Sequence, residues 1–117
     1  MKAKNKVIAG DYNDYKITTN GSYGCITKDS FLNAVAYLNK RQVESYDLIT
    51  EETMKSGSSA ILRGMVGVAL LGGVGVLAGL SAKNKGIYTI AIQWRDGKKS
   101  LIEIDDKLYK KFVADMF

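Results

Sequence analysis

The side chains able to do chemistry in this chain are few, and their spacing limits them further. There is no histidine and a single cysteine, Cys25. Within this chain that excludes a Ser-His or Cys-His nucleophilic pair, an imidazole base and an imidazole metal ligand. Cys25 stands between Gly24 and Ile26 in a strand-like segment and is expected to be a small core residue, since no imidazole is present to activate its thiol. One cysteine builds neither an intramolecular disulfide nor a Cys-rich zinc site. Asp105 and Asp106 are adjacent carboxylates, but they precede an amphipathic segment and suit the positive end of a helix better than acid-base work. Gly73, Gly75 and Ala78 satisfy the G-x-G-x-x-A pattern of dinucleotide-binding loops, and Asp96 ends the next strand-like run. That pattern lacks its setting: about ten residues separate Gly75 from the polar stretch at 83–86, with no further βα units to form the sheet that positions such a cofactor. No catalytic residue, metal or cofactor is expected, and the chain reads as a non-enzyme.

What remains is binding chemistry. Seventeen Lys and Arg against 12 Asp and Glu give a net charge of +5. Fourteen of the basic residues are lysine, so Arg41, Arg63 and Arg95 are the planar, bidentate donors. Two basic loops late in the chain, Lys83 with Lys85 and Arg95 with Lys98 and Lys99, are the candidate partner-binding residues, with charge steering association. Tyr12, Tyr15 and Tyr23 lie near Lys16 and Lys28, an interleaving that suits base stacking, although tyrosine on strands is more often packing. The expected partner is another protein; nucleic acid, a membrane and a second copy are left open. A basic start followed by Val-Ile-Ala-Gly-Asp-Tyr is no signal peptide, and a lone thiol fits a reducing compartment, so the expected location is cytoplasmic.

The elements that must position these residues follow from periodicity and turn chemistry. A chain of 117 residues is one domain's worth, able to bury roughly two thirds of its unfolded surface. Asp14 to Thr19 and Tyr23 to Lys28 read as strands joined at Asn20-Gly21-Ser22, a strong hairpin signal. Phe31 to Leu38 fits helix or strand, with a strand over Ala34 to Asn39 favoured by the polar turn from Asn39 to Gln42. Val43 to Thr50 is a further strand, with Val43, Ser45, Asp47 and Ile49 on one face and Glu44, Tyr46, Leu48 and Thr50 on the other. Thr50, Glu51 and Glu52 suit a helix start. Strand character returns from Ile87 to Trp94, turns at Asp96-Gly97, and runs back from Ser100 to Ile104. Asp105 and Asp106 then open a helix with Leu108, Phe112 and Met116 at four-residue spacing.

Between these strands, residues 64–82 carry no charge and include Gly64, Gly67, Gly72, Gly73, Gly75 and Gly79. As a helix, 19 residues rise about 28 Å, close to the hydrocarbon thickness. A single span, however, strands the last hairpin and helix across the membrane from the rest, and half the segment is too short to cross. The favoured reading is a packed helical hairpin broken near Gly72-Gly73, an insertion over residues 51–86 within one domain spanning 1–117. Each helical glycine costs about 1 kcal/mol relative to alanine, so six of them require close packing or a membrane. Membrane docking through residues 64–82 is the alternative.

Tyr37-Leu38-Asn39-Lys40 with Val43-Glu44-Ser45-Tyr46, the glycine-rich segment, Tyr88 to Ile92 and Asp96 to Glu103 occur in an order that resembles the pleckstrin-homology-like domains of bacteria, including small Gram-positive and phage proteins with a Gly-rich insertion. The resemblance implies an α+β fold, an antiparallel split barrel or sheet of six to seven strands closed by a C-terminal amphipathic helix. It also implies a binding or assembly module, and it supplies no ligand residues. Small, Lys-rich, His-free proteins of this kind look like products of mobile elements, including counter-defence (anti-CRISPR-like) inhibitors. The expected function is steric binding to a macromolecular partner; the alternative is a membrane-associated protein of the same fold.

Overall fold

A computed structural model describes residues 5–19, 23–28, 34–50, 52–53, 58–65 and 86–117. Its elements are β1 (Lys6–Gly10), β2 (Lys16–Thr19), β3 (Gly24–Thr27), β4 (Ala36–Leu38), β5 (Val43–Ile49), α1 (Ala60–Arg63), β6 (Ile87–Trp94), β7 (Lys99–Asp105) and α2 (Asp106–Met116). The strands form one seven-stranded antiparallel sheet in the order β4-β3-β2-β1-β7-β6-β5. The sheet is curled into a half-barrel, and α2 follows its last strand, so the α+β class stands. Of the insertion expected over 51–86, residues 51, 54–57 and 66–85 lie outside the described residues. The packing roles expected of Gly67, Gly72, Gly73, Gly75 and Gly79 lie there too.

The hairpin signals found their strands. β2 and β3 pair from Lys16 with Thr27 to Thr19 with Gly24. Trp94 N–H donates to the Lys98 carbonyl at 2.8 Å, closing Arg95-Asp96-Gly97 into a loop in which Gly97 takes φ +92°, the left-handed residue such a hairpin needs. β1 has no counterpart in the sequence reading. Its short Lys-Val-Ile-Ala-Gly run becomes a central strand, paired with β2 on one side and β7 on the other.

Two bulges decide which side chains go inside. On β5, Val43 pairs with Trp94 and Ser45 with Gln93, so Glu44 is an extra residue. The single face expected for Val43, Ser45, Asp47 and Ile49 is therefore split: Val43 enters the main core and Ile49 the opposite one. On β1, Val7 pairs with Ile102 and Ala9 with Leu101, which makes Ile8 the extra residue and sends Val7 and Ala9 to opposite faces. An extra residue inverts the two-residue alternation beyond it.

The main core lies on the face covered by α2 and combines Val7, Ile17, Ile26, Leu38, Ile90, Ile92, Trp94, Ile102 and Ile104 with Leu108 and Phe112. Asp105 caps α2 as expected, its Oδ1 accepting the Leu108 N–H at 2.9 Å, while Asn5 bonds both its backbone N–H and its Oδ2. Asp106 accepts from the Tyr88 hydroxyl at 3.0 Å and pairs with Lys110 at 3.0 Å. Lys110 first, then Tyr88, hold its carboxyl below the usual carboxylate range. Both carboxylates thus serve the helix start.

The opposite face carries a smaller core of Ala9, Ile49, Ala91 and Leu101 under Ile61 and Met65. Thr50 Oγ1 accepts the Thr53 N–H at 3.1 Å, as a capping residue does, and residues 52–53 are helical; α1 has its own N-cap, Ser59. Ser59 Oγ accepts the Leu62 N–H at 3.1 Å and donates to Asp47 Oδ2 at 2.7 Å, so one hydroxyl caps α1 and ties it to β5. Ser59→Ala is expected to cost about 1–2 kcal/mol in urea unfolding, the range for a lost N-cap. A loss of a few tenths would mean that α1 adds nothing to the fold.

Candidate interaction surface

At one end of the half-barrel three connections meet: the β1–β2 loop, the β4–β5 turn and the β6–β7 turn. Asn39 builds the second of these. Its side-chain oxygen accepts the N–H groups of Arg41 at 3.0 Å and Gln42 at 3.2 Å, an arrangement asparagine favours because it mimics a backbone turn. Gln42 Oε1 accepts the Tyr37 N–H at 2.8 Å and so covers a donor of edge strand β4. The β4–β5 turn is then joined to the β6–β7 turn twice, by Arg95 N–H to the Gln42 carbonyl at 2.9 Å and Arg95 Nε to the Lys40 carbonyl at 2.9 Å.

The β1–β2 loop is fixed to the same end. Tyr12 and Asp14 adopt φ +65° and +71°, a conformation that costs a non-glycine residue about 1–2 kcal/mol. A hydrogen-bond chain helps to hold them there. Trp94 Nε1 donates to Ser100 Oγ at 2.9 Å, and Ser100 Oγ donates to the Asp11 carbonyl at 2.6 Å. Asp11 N–H donates to the Lys99 carbonyl, and Lys99 N–H donates to Asp11 Oδ2. The Tyr12 ring meets Trp94 edge-on at 5.8 Å and Tyr15 at 5.8 Å. Lys98 Nζ lies 5.3 Å from the Tyr12 ring centre, 3.5 Å from its hydroxyl and 3.6 Å from Asp96. The hydrogen bond to Tyr12, assisted by the charge of Asp96, raises the Lys98 pKa above the ordinary lysine value, so its charge is secure at neutral pH.

The structure brings Arg95 and Lys98 to one corner, as the loop reading required, and adds Lys40 and Arg41, which that reading did not name. All four are exposed. The missed signal was antiparallel pairing: the start of β5 must lie beside the end of β6, which carries residues 40 and 41 to residue 95. Lys99 leaves the group. As the first residue of β7 opposite Gln93 it turns to the other face, where its stem crosses Gly64. A Cβ on Gly64 would stand 2.8 Å from Lys99 Cε, an atom far out on a flexible side chain that can move aside. Lys99, Gly10, Asp11, Gly64, Met65 and Gly97 line an open cleft of about 370 Å³ there. Lys83 and Lys85 lie outside the described residues.

The other candidates resolve toward packing. Tyr12 and Tyr15 lean on the main core, leaving Tyr23 exposed at the start of β3. Cys25 is buried, and desolvation pushes its thiol pKa up, away from the thiolate that a nucleophile requires. Among the described residues no group of His, Cys, Asp and Glu converges as a metal site, and no helix is long and apolar enough to cross a membrane.

The fold and its corner define a class of structure, an α+β half-barrel with a cationic edge. Comparison of the chain with protein-family models, curated proteins and solved structures returned no match.

Proposed function

We propose that the protein is a non-enzymatic interaction module that acts by occupying a surface of another macromolecule, within a fold similar to the pleckstrin-homology-like domains. The observation that carries this reading is the corner itself: Lys40, Arg41, Arg95 and Lys98 are exposed on turns locked together through backbone hydrogen bonds. Cations on rigid turns accelerate encounter and fix orientation without paying the ordering cost of a flexible loop. Steric inhibition, of which a phage or mobile-element counter-defence role is one instance, needs no further chemistry.

The test is quantitative capture from a lysate of the organism that carries the gene. Arg41→Glu with Lys98→Glu is expected to remove the captured partner, whereas Lys107→Glu with Lys110→Glu, on the exposed side of α2, leaves it in place. Equal capture by all variants would remove this corner from the binding surface.

A further inference from the structure

We infer that the corner around Arg41 and Arg95 docks an acidic protein segment that also carries an apolar side chain; this rests on the interaction-module reading and narrows it to one face and one partner chemistry. Two of the chain's three arginines converge here although they are distant in sequence. The Arg41 guanidinium has no ion pair or hydrogen bond with any described residue. That of Arg95 is tethered through Nε to the Lys40 carbonyl at 2.9 Å on an exposed residue, and its two terminal amino groups bond no described residue. Planar forks of this kind match carboxylates in bidentate geometry.

The alternative polyanion is a nucleic acid, and the corner is poorly built for it. Asp96 lies 3.6 Å from Lys98, and Glu44 accepts from Gln93 at 2.7 Å on the adjoining strand. A backbone of uniformly negative phosphates meets repulsion from both acids, while a protein segment can answer a mosaic of signs. The rings packed into these turns also give a base little to stack on. Trp94 is 3% exposed, and Tyr12 is engaged by Trp94, Tyr15 and Lys98, whereas base binding needs a free stacking platform.

An apolar anchor stands beside the cations. Phe117 is 97% exposed, and its carbonyl accepts the Lys40 ammonium at 2.6 Å. Arginine and aromatic side chains are enriched at protein interfaces and carry much of their binding energy.

The experiment uses fluorescence anisotropy with three labelled probes: a glutamate-rich peptide containing one leucine, its all-glutamate counterpart, and an oligothymidylate of equal length. At physiological ionic strength the leucine-containing peptide is expected to bind saturably and most tightly. Arg41→Gln, which breaks no bond of the fold, weakens it about tenfold, the loss of one charge-assisted pair. Phe117→Ser lowers affinity for the leucine-containing peptide and leaves the all-glutamate peptide unchanged. Lys107→Gln with Lys110→Gln changes neither. Tighter binding of the oligothymidylate overturns the inference, as does an equal loss from the α2 lysine variants, which would reduce the effect to net charge. Absence of peptide binding, with lysate capture that Arg41→Gln does not alter, overturns this face and leaves the interaction-module reading intact; loss of capture by the unaltered protein ends both.

Discussion

Phe112→Ala lowers the stability of the protein by about 3–5 kcal/mol, the range for removing a fully buried aromatic ring. Phe112 is 1% exposed and leads the fully buried side chains by volume. Its ring meets Tyr46 of β5 edge-on at 4.7 Å and 70°, an arrangement that adds about 0.5–1.5 kcal/mol beyond area burial. α2 also contacts β3, β4, β6 and β7, so this ring sits where the helix bridges the two edges of the half-barrel. Its removal leaves a cavity under a helix that cannot follow, because Asp105 and Asn5 fix the N-terminal end of α2. The loss is a large part of the 5–15 kcal/mol that a domain usually possesses. Urea unfolding followed by circular dichroism measures it; a loss below 1 kcal/mol would show that α2 is not seated on the sheet.

Gly10→Ala is expected to cost about 2–5 kcal/mol, from two sources that act together. Gly10 takes φ +84°, where a Cβ costs about 1–2 kcal/mol. That Cβ would also lie 2.5 Å from the Lys99 carbonyl oxygen and 2.7 Å from Met65 Cε. The methionine end can swing away, but the carbonyl is main chain and accepts the Asp11 N–H at 2.8 Å. Relief therefore requires β1 and β7 to separate, with a further overpacking cost of about 1–3 kcal/mol. Gly97→Ala provides the comparison, since Gly97 has φ +92° with open space around it and should cost about 1–2 kcal/mol for backbone strain alone. Equal losses in the two variants, read by thermal and urea unfolding, would show that the β1–β7 contact at Gly10 yields freely.

Much of the local structure was legible because its causes are local. Asn20-Gly21 and Asp96-Gly97 announced hairpins through the conformations that asparagine, aspartate and glycine tolerate. Asp105 announced the start of α2 because a carboxylate there satisfies an orphan N–H. The two basic loops were legible as charge but not as a site. Lys98 and Lys99 are neighbours in sequence, yet one stands over Tyr12 and the other crosses Gly64 on the far face, because strand alternation separates adjacent side chains. β1 escaped notice because five residues carry little periodicity, and its place between β2 and β7 depends on partners as remote as Ile102 and Glu103.

Taken alone, the sequence determined the absence of imidazole chemistry, the isolation of one thiol, the hairpins, the closing helix and the supply of basic turns. These depend on residue type and on spacings of a few positions, and no distant contact alters them. Tertiary structure decided the rest. The bulges at Ile8 and Glu44 assigned Val7 and Val43 to one core and Ala9 and Ile49 to the other, which no alternation rule reveals without the opposing strand. Pairing of β5 with β6 set Arg41 beside Arg95, strand alternation separated Lys99 from Lys98, and packing against the main core engaged Tyr12 and Tyr15 while leaving Tyr23 exposed. The physical reason is that register and curvature come from pairing across the whole chain, so they determine which of many surface charges share a face.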